Sequence, residues 1–262
     1  MQTVQAGAAP PPLTISGIRA RPVVLELQRP IVARIATITQ WPVVLIDLAT
    51  EEGIVGRSYL EPYLPKAMRY LLAALQDLGD LLQGRPLVPK ELFEVSRKSL
   101  HFVGYQGLSM IAVSGVDMAA WDALARSVEL PLCVLLGGSV GSVPAYNSNG
   151  LWLEAPAAVA EEAVELRDEG GFRGLKLRLG RERPGDDVAT VEAVRRMVGD
   201  DLQIMVDFNQ GLHRGEALQR CHMLDNLGLA WIEEPLVYDD LDGHAQLAAE
   251  LKTPIQIGEN FY

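Results

Sequence analysis

The sequence predicts an α+β domain followed by the first part of a parallel β/α barrel, and three observations predict it. Residues 14–60 read as strands and give way to helical periodicity over residues 66–128. After Gly138 the pattern changes to short apolar runs alternating with helices. Four of those runs carry Lys176, Asp207, Glu233 and Glu259, and these charges fall 31, 26 and 26 residues apart. A parallel strand follows another only after a crossover, so one βα unit needs about 30 residues. Repeated units predict a barrel whose polar groups stand at the C-terminal ends of its strands.

The elements follow in order. Ile15 to Leu27 alternates, Val43 to Leu48 is a second apolar run, and Glu51-Glu52-Gly53 is a turn before a third strand at Ile54 to Leu60. The long link from Arg29 to Trp41 is either a functional flap or an extended strand pair. Lys66 to Leu82 sets Met68, Leu71, Leu72, Leu75 and Leu78 on one helical face. Another helix starts near Glu91, and Leu108 to Val128 carries so few charges that it should be buried on most sides. Residues 14–138 thus form the α+β domain, and 139–262 the barrel portion.

In the barrel portion Val143 to Asn147 is the first expected strand, and Pro156 opens a helix that Gly170-Gly171 ends. Asp186 or Asp187 is the expected cap of the next helix, with Val188, Val191, Val194 and Val198 facing inward and Gly199 as its stop. Further helices are expected over Glu216 to Leu227 and Leu241 to Leu251. That makes five strands, the last ending just before Tyr262, whereas a closed barrel pairs its first strand with its last. The expectation is a fragment of a longer protein.

The chain has 262 residues, 48% of them hydrophobic, and a net charge of −11. That charge disfavours a nucleic-acid surface, which needs a basic stripe, but a bound dication can still attract a small anion. Cys133 and Cys221 are the only cysteines, and both are expected to be buried thiols in a reducing cytoplasm. Met1 to Leu13 is rich in Ala, Gly and Pro without a positive start, so a loose tail is expected rather than a signal peptide. No apolar run reaches the roughly 18 residues of a membrane span. A soluble cytoplasmic protein is the expectation, with neither membrane nor nucleic acid as partner.

Asp207, Glu233 and Glu259 are three oxygen ligands on successive strand ends. An all-carboxylate set suits a hard cation, Mg²⁺ first and Mn²⁺ second. Lys176 and Arg178 are two apart on one strand and face the same side. A lysine beside another cation can have its pKa lowered and act as a base; an arginine cannot.

These segments, with Val44 to Thr50, Gly115 to Leu124 and Leu135-Leu136-Gly137, resemble the enolase superfamily, and within it the mandelate racemase and muconate lactonizing enzyme group. The resemblance covers almost the whole chain. It implies a capping α+β domain with a modified barrel of the TIM type, and Mg²⁺ on Asp207, Glu233 and Glu259. It also implies removal of the proton α to a carboxylate through a metal-stabilised enediolate, by an acid-sugar dehydratase or a 2-hydroxy-acid racemase. Lys176 matches the first lysine of a Lys-x-Lys motif that contacts the substrate carboxylate, and Glu234 the second glutamate of Glu-Glu-Pro. Ser148 matches a serine near that carboxylate, and Asn209 a residue near the α-hydroxyl. Ile31, Ile35, Ile38 and Tyr63 match an apolar substrate wall, whereas Glu61 and Arg34 bring polar groups to it. A small-molecule carboxylate and a homo-oligomer are the partners implied.

Two departures bear on the reaction. Arg178 replaces the second lysine, the base for one face of the substrate. The family's other base is a histidine on a later strand, which His101, His213, His222 and His244 do not replace. A chain ending at Tyr262 would then bind metal without turnover, the alternative to the enzyme reading.

Overall fold

A computed structural model describes residues 12–260. The expected tail at 1–13 lies outside the described residues up to residue 11, as does Tyr262. The described chain forms two compact units, 12–26 with 40–142, and 27–39 with 143–260.

The three strands β1 (Ile15–Val32), β2 (Thr37–Thr50) and β3 (Val55–Leu60) form one sheet in sequence order, with β2 and β3 antiparallel. The 29–41 link is the extended strand pair of the two alternatives, closed where Ala33 N–H donates to Ala36 O at 3.0 Å. Its tip, 27–39, belongs to the second unit. In the first unit Val44, Ile46 and Leu48 alternate into the core, as the two-residue strand period dictates. Helix α1 (Met68–Leu82), preceded by one 3₁₀ turn, adds Leu71, Leu75, Leu78 and Leu82. Helix α2 (Pro89–Ser99) begins with proline at the position where no N–H is needed.

Helix α3 (Leu108–Ser127) corrects one expectation, because by length and composition it could cross a membrane. Here Ala112, Val113, Val116, Ala119, Ala120 and Ala123 are buried in the core of the unit. Its approach to β3 requires glycine: a Cβ on Gly56 would stand 2.0 Å from Ala119 O. The short α4 (Leu132–Leu135) leaves Cys133 exposed, so only Cys221 is the buried thiol expected of both.

The second unit alternates α5 (Pro156–Gly170), β4 (Gly174–Arg178), α6 (Pro184–Val198), β5 (Gln203–Asp207), α7 (Arg214–Leu224), β6 (Ile232–Glu233), α8 (Leu241–Glu250) and β7 (Ile255–Gln256). Its strands are parallel in the order β4-β5-β6-β7. Leu175 and Leu177 on β4, Ile204 and Val206 on β5, and Ile232 on β6 pack against Val191, Val194, Ala217 and Leu224 of the helices. Burial on this scale stabilises by roughly 1.5–3 kcal/mol per large side chain.

The strand expected at Val143 to Asn147 is not formed. Val143 is 85% exposed, and only Asn147 pairs, by a bridge to Leu175. Proline at 144 has no N–H to give a ladder, and Asn147 alone exchanges bonds with Gly174 O and Lys176 N, at 2.9 and 3.0 Å. Neither Asp186 nor Asp187 caps α6, whose N-cap is Arg183. Asp187 is drawn inward instead to Arg220 at 2.6 Å. Helix α7 ends at Leu224, earlier than expected, and Gly228 at φ 64 turns the chain after it.

Candidate active site

The register places the charges side by side. Arg178 on β4 lies opposite Asp207 on β5, Asp207 opposite Glu233 on β6, and Glu233 opposite Gln256 on β7. These are the last residues of their strands, so their side chains gather at one end of the sheet. Lys176 Nζ donates to Glu233 Oε1 at 2.7 Å and stands 3.2 Å from Asp207 Oδ2. Arg178 Nη1 stands 3.4 Å from the same Oδ2. All four side chains are more than nine-tenths buried.

Aromatic rings hold this cluster. Trp231 Nε1 donates to Glu233 Oε2 at 2.9 Å, leaving Oε1 for Lys176. Tyr146 meets Trp231 edge to face at 5.5 Å and lies under Lys176 Nζ at 5.8 Å. Trp152 covers the Arg178 guanidinium at 5.4 Å, in cation–π range. Sequence reasoning missed both tryptophans. Trp231 was readable, since it stands two residues before Glu233, just ahead of β6, and an extended chain turns both to the same side.

Past the strand ends the backbone turns through the left-handed region at Asn209 (φ 48), Gln210 (φ 61) and Glu234 (φ 45). For non-glycine residues this costs on the order of 1–3 kcal/mol each, and such strain gathers at functional sites. Here it is held by Asp207 Oδ1 accepting from Asn209 N–H at 2.8 Å and by Gln210 N–H donating to Glu234 O at 2.8 Å. Asn209 Oδ1 is buried without a hydrogen-bond partner.

Charge sets the protonation states. Burial works to depress the Lys176 ammonium, as does Arg178, but attraction to Asp207 and Glu233 leaves its pKa raised. A lysine can be lowered toward a base by a neighbouring cation, but here Asp207 and Glu233 outweigh Arg178. Glu234 is pushed up to about 7, first by burial and then by Asp207, Glu259 and Glu233, against a hydrogen bond from Gln210. Asp207, Glu233, Glu234 and Glu259 thus act on one another electrostatically, four carboxylates to the two cations Lys176 and Arg178.

That excess, and an all-oxygen donor set, fit a hard dication in chemistry. The expected ligand triad is nevertheless not assembled: among the described residues no three His, Cys, Asp or Glu side chains form a group ready to hold a metal. Asp207 and Glu233 close on Lys176 instead.

The other expected site residues divide between the two units. Ser148 is half-buried just after the Asn147 bridge. Ile31 is half-buried and Ile35 is 63% exposed, on the strand-pair tip of the second unit. That tip is tied down by Arg34, whose Nη1 and Nη2 donate to Glu216 at 2.7 and 3.1 Å, and by Arg29 to Glu169. Glu61 and Tyr63 follow β3 in the first unit, where Tyr63 meets Trp41 edge to face at 6.1 Å. His213 is the exposed N-cap residue of α7, His222 pairs with Glu250, and His244 is buried in α8.

The pattern of the mandelate racemase / muconate lactonizing enzyme N-terminal domain matches residues 16–137, and that of the enolase C-terminal domain-like family matches 158–262. The chain belongs to the enolase superfamily. Within it the chain is a member of the mandelate racemase and muconate lactonizing enzyme family, whose architecture is an N-terminal capping domain and a β/α barrel domain.

An enolase from the alpha proteobacterium BAL199, crystallised with bound Mg, is 64% identical with a TM-score of 0.92, over 95% of this chain and 70% of that one. An enolase from Bradyrhizobium, complexed with magnesium and mandelic acid, is 37% identical with a TM-score of 0.89, over 96% and 69%. The L-talarate/galactarate dehydratase of Salmonella typhimurium is 34% identical over 85% of this chain and 56% of its own length. The chain thus spans little more than half of that curated relative. Other family relatives are dehydratases, racemases and cycloisomerases.

Proposed function

We propose that the protein is a Mg²⁺-dependent dehydratase of a polyhydroxy acid, acting by removal of the proton on the carbon next to the carboxylate. Asp207, Glu233 and Glu259 would hold the ion. Bound there, Mg²⁺ supplies Lewis-acid stabilisation of the negative charge that grows on the substrate as the proton leaves. The chain's own side chains do the rest. Lys176, buried beside Glu233 and Asp207 at 2.7 and 3.2 Å, would bind and orient an anionic group of the substrate. Trp231 fixes the Glu233 carboxylate through its indole N–H.

One observation carries the choice of dehydratase. The strand position from which a second base would act holds Arg178, and a guanidinium offers only donors and no acceptor. Inverting a stereocentre needs a base on each face of the carbon, whereas eliminating water can be done with one. Relatives that act on L-talarate or galactarate and on arabinonate support the reading.

The test is a panel of sugar acids, with each enantiomer of mandelate, incubated with protein and Mg²⁺ in D₂O. A sugar acid should lose water to give a 2-keto-3-deoxy acid, scored by its semicarbazone. Inversion of a single mandelate enantiomer with deuterium uptake would contradict the proposal.

A further inference from the structure

We infer that Arg178 is a binding residue for a carboxylate of the substrate, a fork of N–H donors where a base would otherwise act; this rests on the acid-substrate reading above. Arg178 is 8% exposed, yet its Nε and Nη1 have no hydrogen-bond partner. A buried donor left without a partner is costly, more so when charged, so a sequence keeps one where something arrives to satisfy it.

Asp207 is not that acceptor. Its Oδ2 is 3.4 Å from Nη1 and is nearer to Lys176, at 3.2 Å, while its Oδ1 takes the Asn209 N–H. The same unit shows what a completed arginine pair looks like. Arg34 grips Glu216 through two nitrogens at 2.7 and 3.1 Å, and Arg220 meets Asp187 at 2.6 Å while also bonding Glu216. Arg178 has the charge balance of such a pair without its hydrogen bonds.

The guanidinium is also held ready. Its backbone N–H donates to Leu151 O at 2.9 Å, fixing the end of β4, and its Cζ lies over the Trp152 ring, 5.4 Å from the centroid. Nε and Nη1 are the guanidinium donors left to be met, and in-plane guanidinium N–H groups match a carboxylate. A lysine ammonium in this place would offer no such plane. Lys176, two residues earlier on the same side, supplies a second positive anchor, so an acid with two carboxylates, or one carboxylate and oxygens nearby, meets both. The consequence for the reaction is that this side of the substrate is gripped rather than deprotonated.

The experiment titrates tartronate, a small hydroxy dicarboxylate, into the protein with saturating Mg²⁺, read by calorimetry and by tryptophan fluorescence. Wild type should bind, and R178Q should bind at least about tenfold more weakly. R178K, which keeps the charge and loses the fork, should fall between them and decides the matter should R178Q fail to fold. Mg²⁺ affinity measured without tartronate should not fall in either variant. Equal tartronate affinity in wild type and variants overturns the inference, as does a wild type that does not bind tartronate. Failure of the dehydratase reading looks different: binding lost in R178Q, with no proton exchange or water loss from any acid by wild type.

Discussion

Replacing Asp187 by alanine should destabilise the second unit by about 3–5 kcal/mol. Asp187 is 1% exposed and Arg220 2% exposed, and they meet at 2.6 Å. Asp187 also accepts from the N–H groups of Gly180 and Arg181, at 3.1 Å each. Removing one partner of a buried pair leaves the other charge uncompensated, at about 3–5 kcal/mol. Glu216, still 2.7 Å from Arg220, keeps the loss toward the lower end, and the orphaned N–H groups move it back up. At about 2–4 °C per kcal/mol, the melting temperature should drop by roughly 6–20 °C. The assay is urea and thermal unfolding followed by tryptophan fluorescence. Trp41 and Trp121 are replaced by phenylalanine, so that Trp152 and Trp231 report on the second unit alone. The double variant D187L/R220M, which removes both charges and keeps apolar bulk, should recover most of the stability. A D187A shift below about 2 °C, or a double variant worse than the single, would refute the reasoning.

Three further outcomes are expected. G56A should destabilise the first unit by at least about 1–3 kcal/mol, because the added Cβ would meet backbone, Ala119 O at 2.0 Å and Ala123 N at 2.7 Å, which cannot turn aside; thermal unfolding that matches wild type would contradict this. With a thiol-reactive dye at pH 8, exposed Cys133 should label and Cys221 should not, since burial pushes the Cys221 thiol up to about 12 and only the thiolate reacts; two equivalents labelled at one rate would show otherwise. The Asp240 carboxyl is lowered to about 2, chiefly by its hydrogen bonds from Arg214. Its contribution to stability is therefore complete above the ordinary aspartate value of about 3.9 and is lost as pH falls through about 2. In R214A the midpoint, read by carboxyl carbon NMR, should move up toward the ordinary value; an unmoved midpoint would remove Arg214 as the cause.

Much of the site was legible because strand ends in a β/α repeat are spaced by chain length alone. Lys176, Asp207 and Glu233 come together as the 31- and 26-residue intervals implied. Tertiary pairing is what the pattern could not show. Asp187 has the local signature of a helix cap, yet a buried arginine 33 residues away outcompetes the helix N–H groups for it. Residues 143–147 look like a strand by composition, but the exposed backbone finds a partner only at Asn147. The protonation of Lys176 turned on distances of 2.7 and 3.2 Å, which spacing cannot supply. The same holds for Trp152 over Arg178, where an aromatic from a loop before α5 meets the last residue of β4.

The central claim is that the carboxylates at these strand ends bind one hard dication. Manganese, as a spectroscopic substitute for Mg²⁺, can be titrated by electron paramagnetic resonance into wild type, D207N, E233Q and E259Q, with E250Q, an exposed partner of His222, as the control. Wild type and E250Q should bind a single Mn²⁺ that Mg²⁺ displaces, and each of the three site variants should bind it at least about tenfold more weakly. Wild type that takes up no Mn²⁺, or three site variants that bind it as wild type does, would contradict the claim.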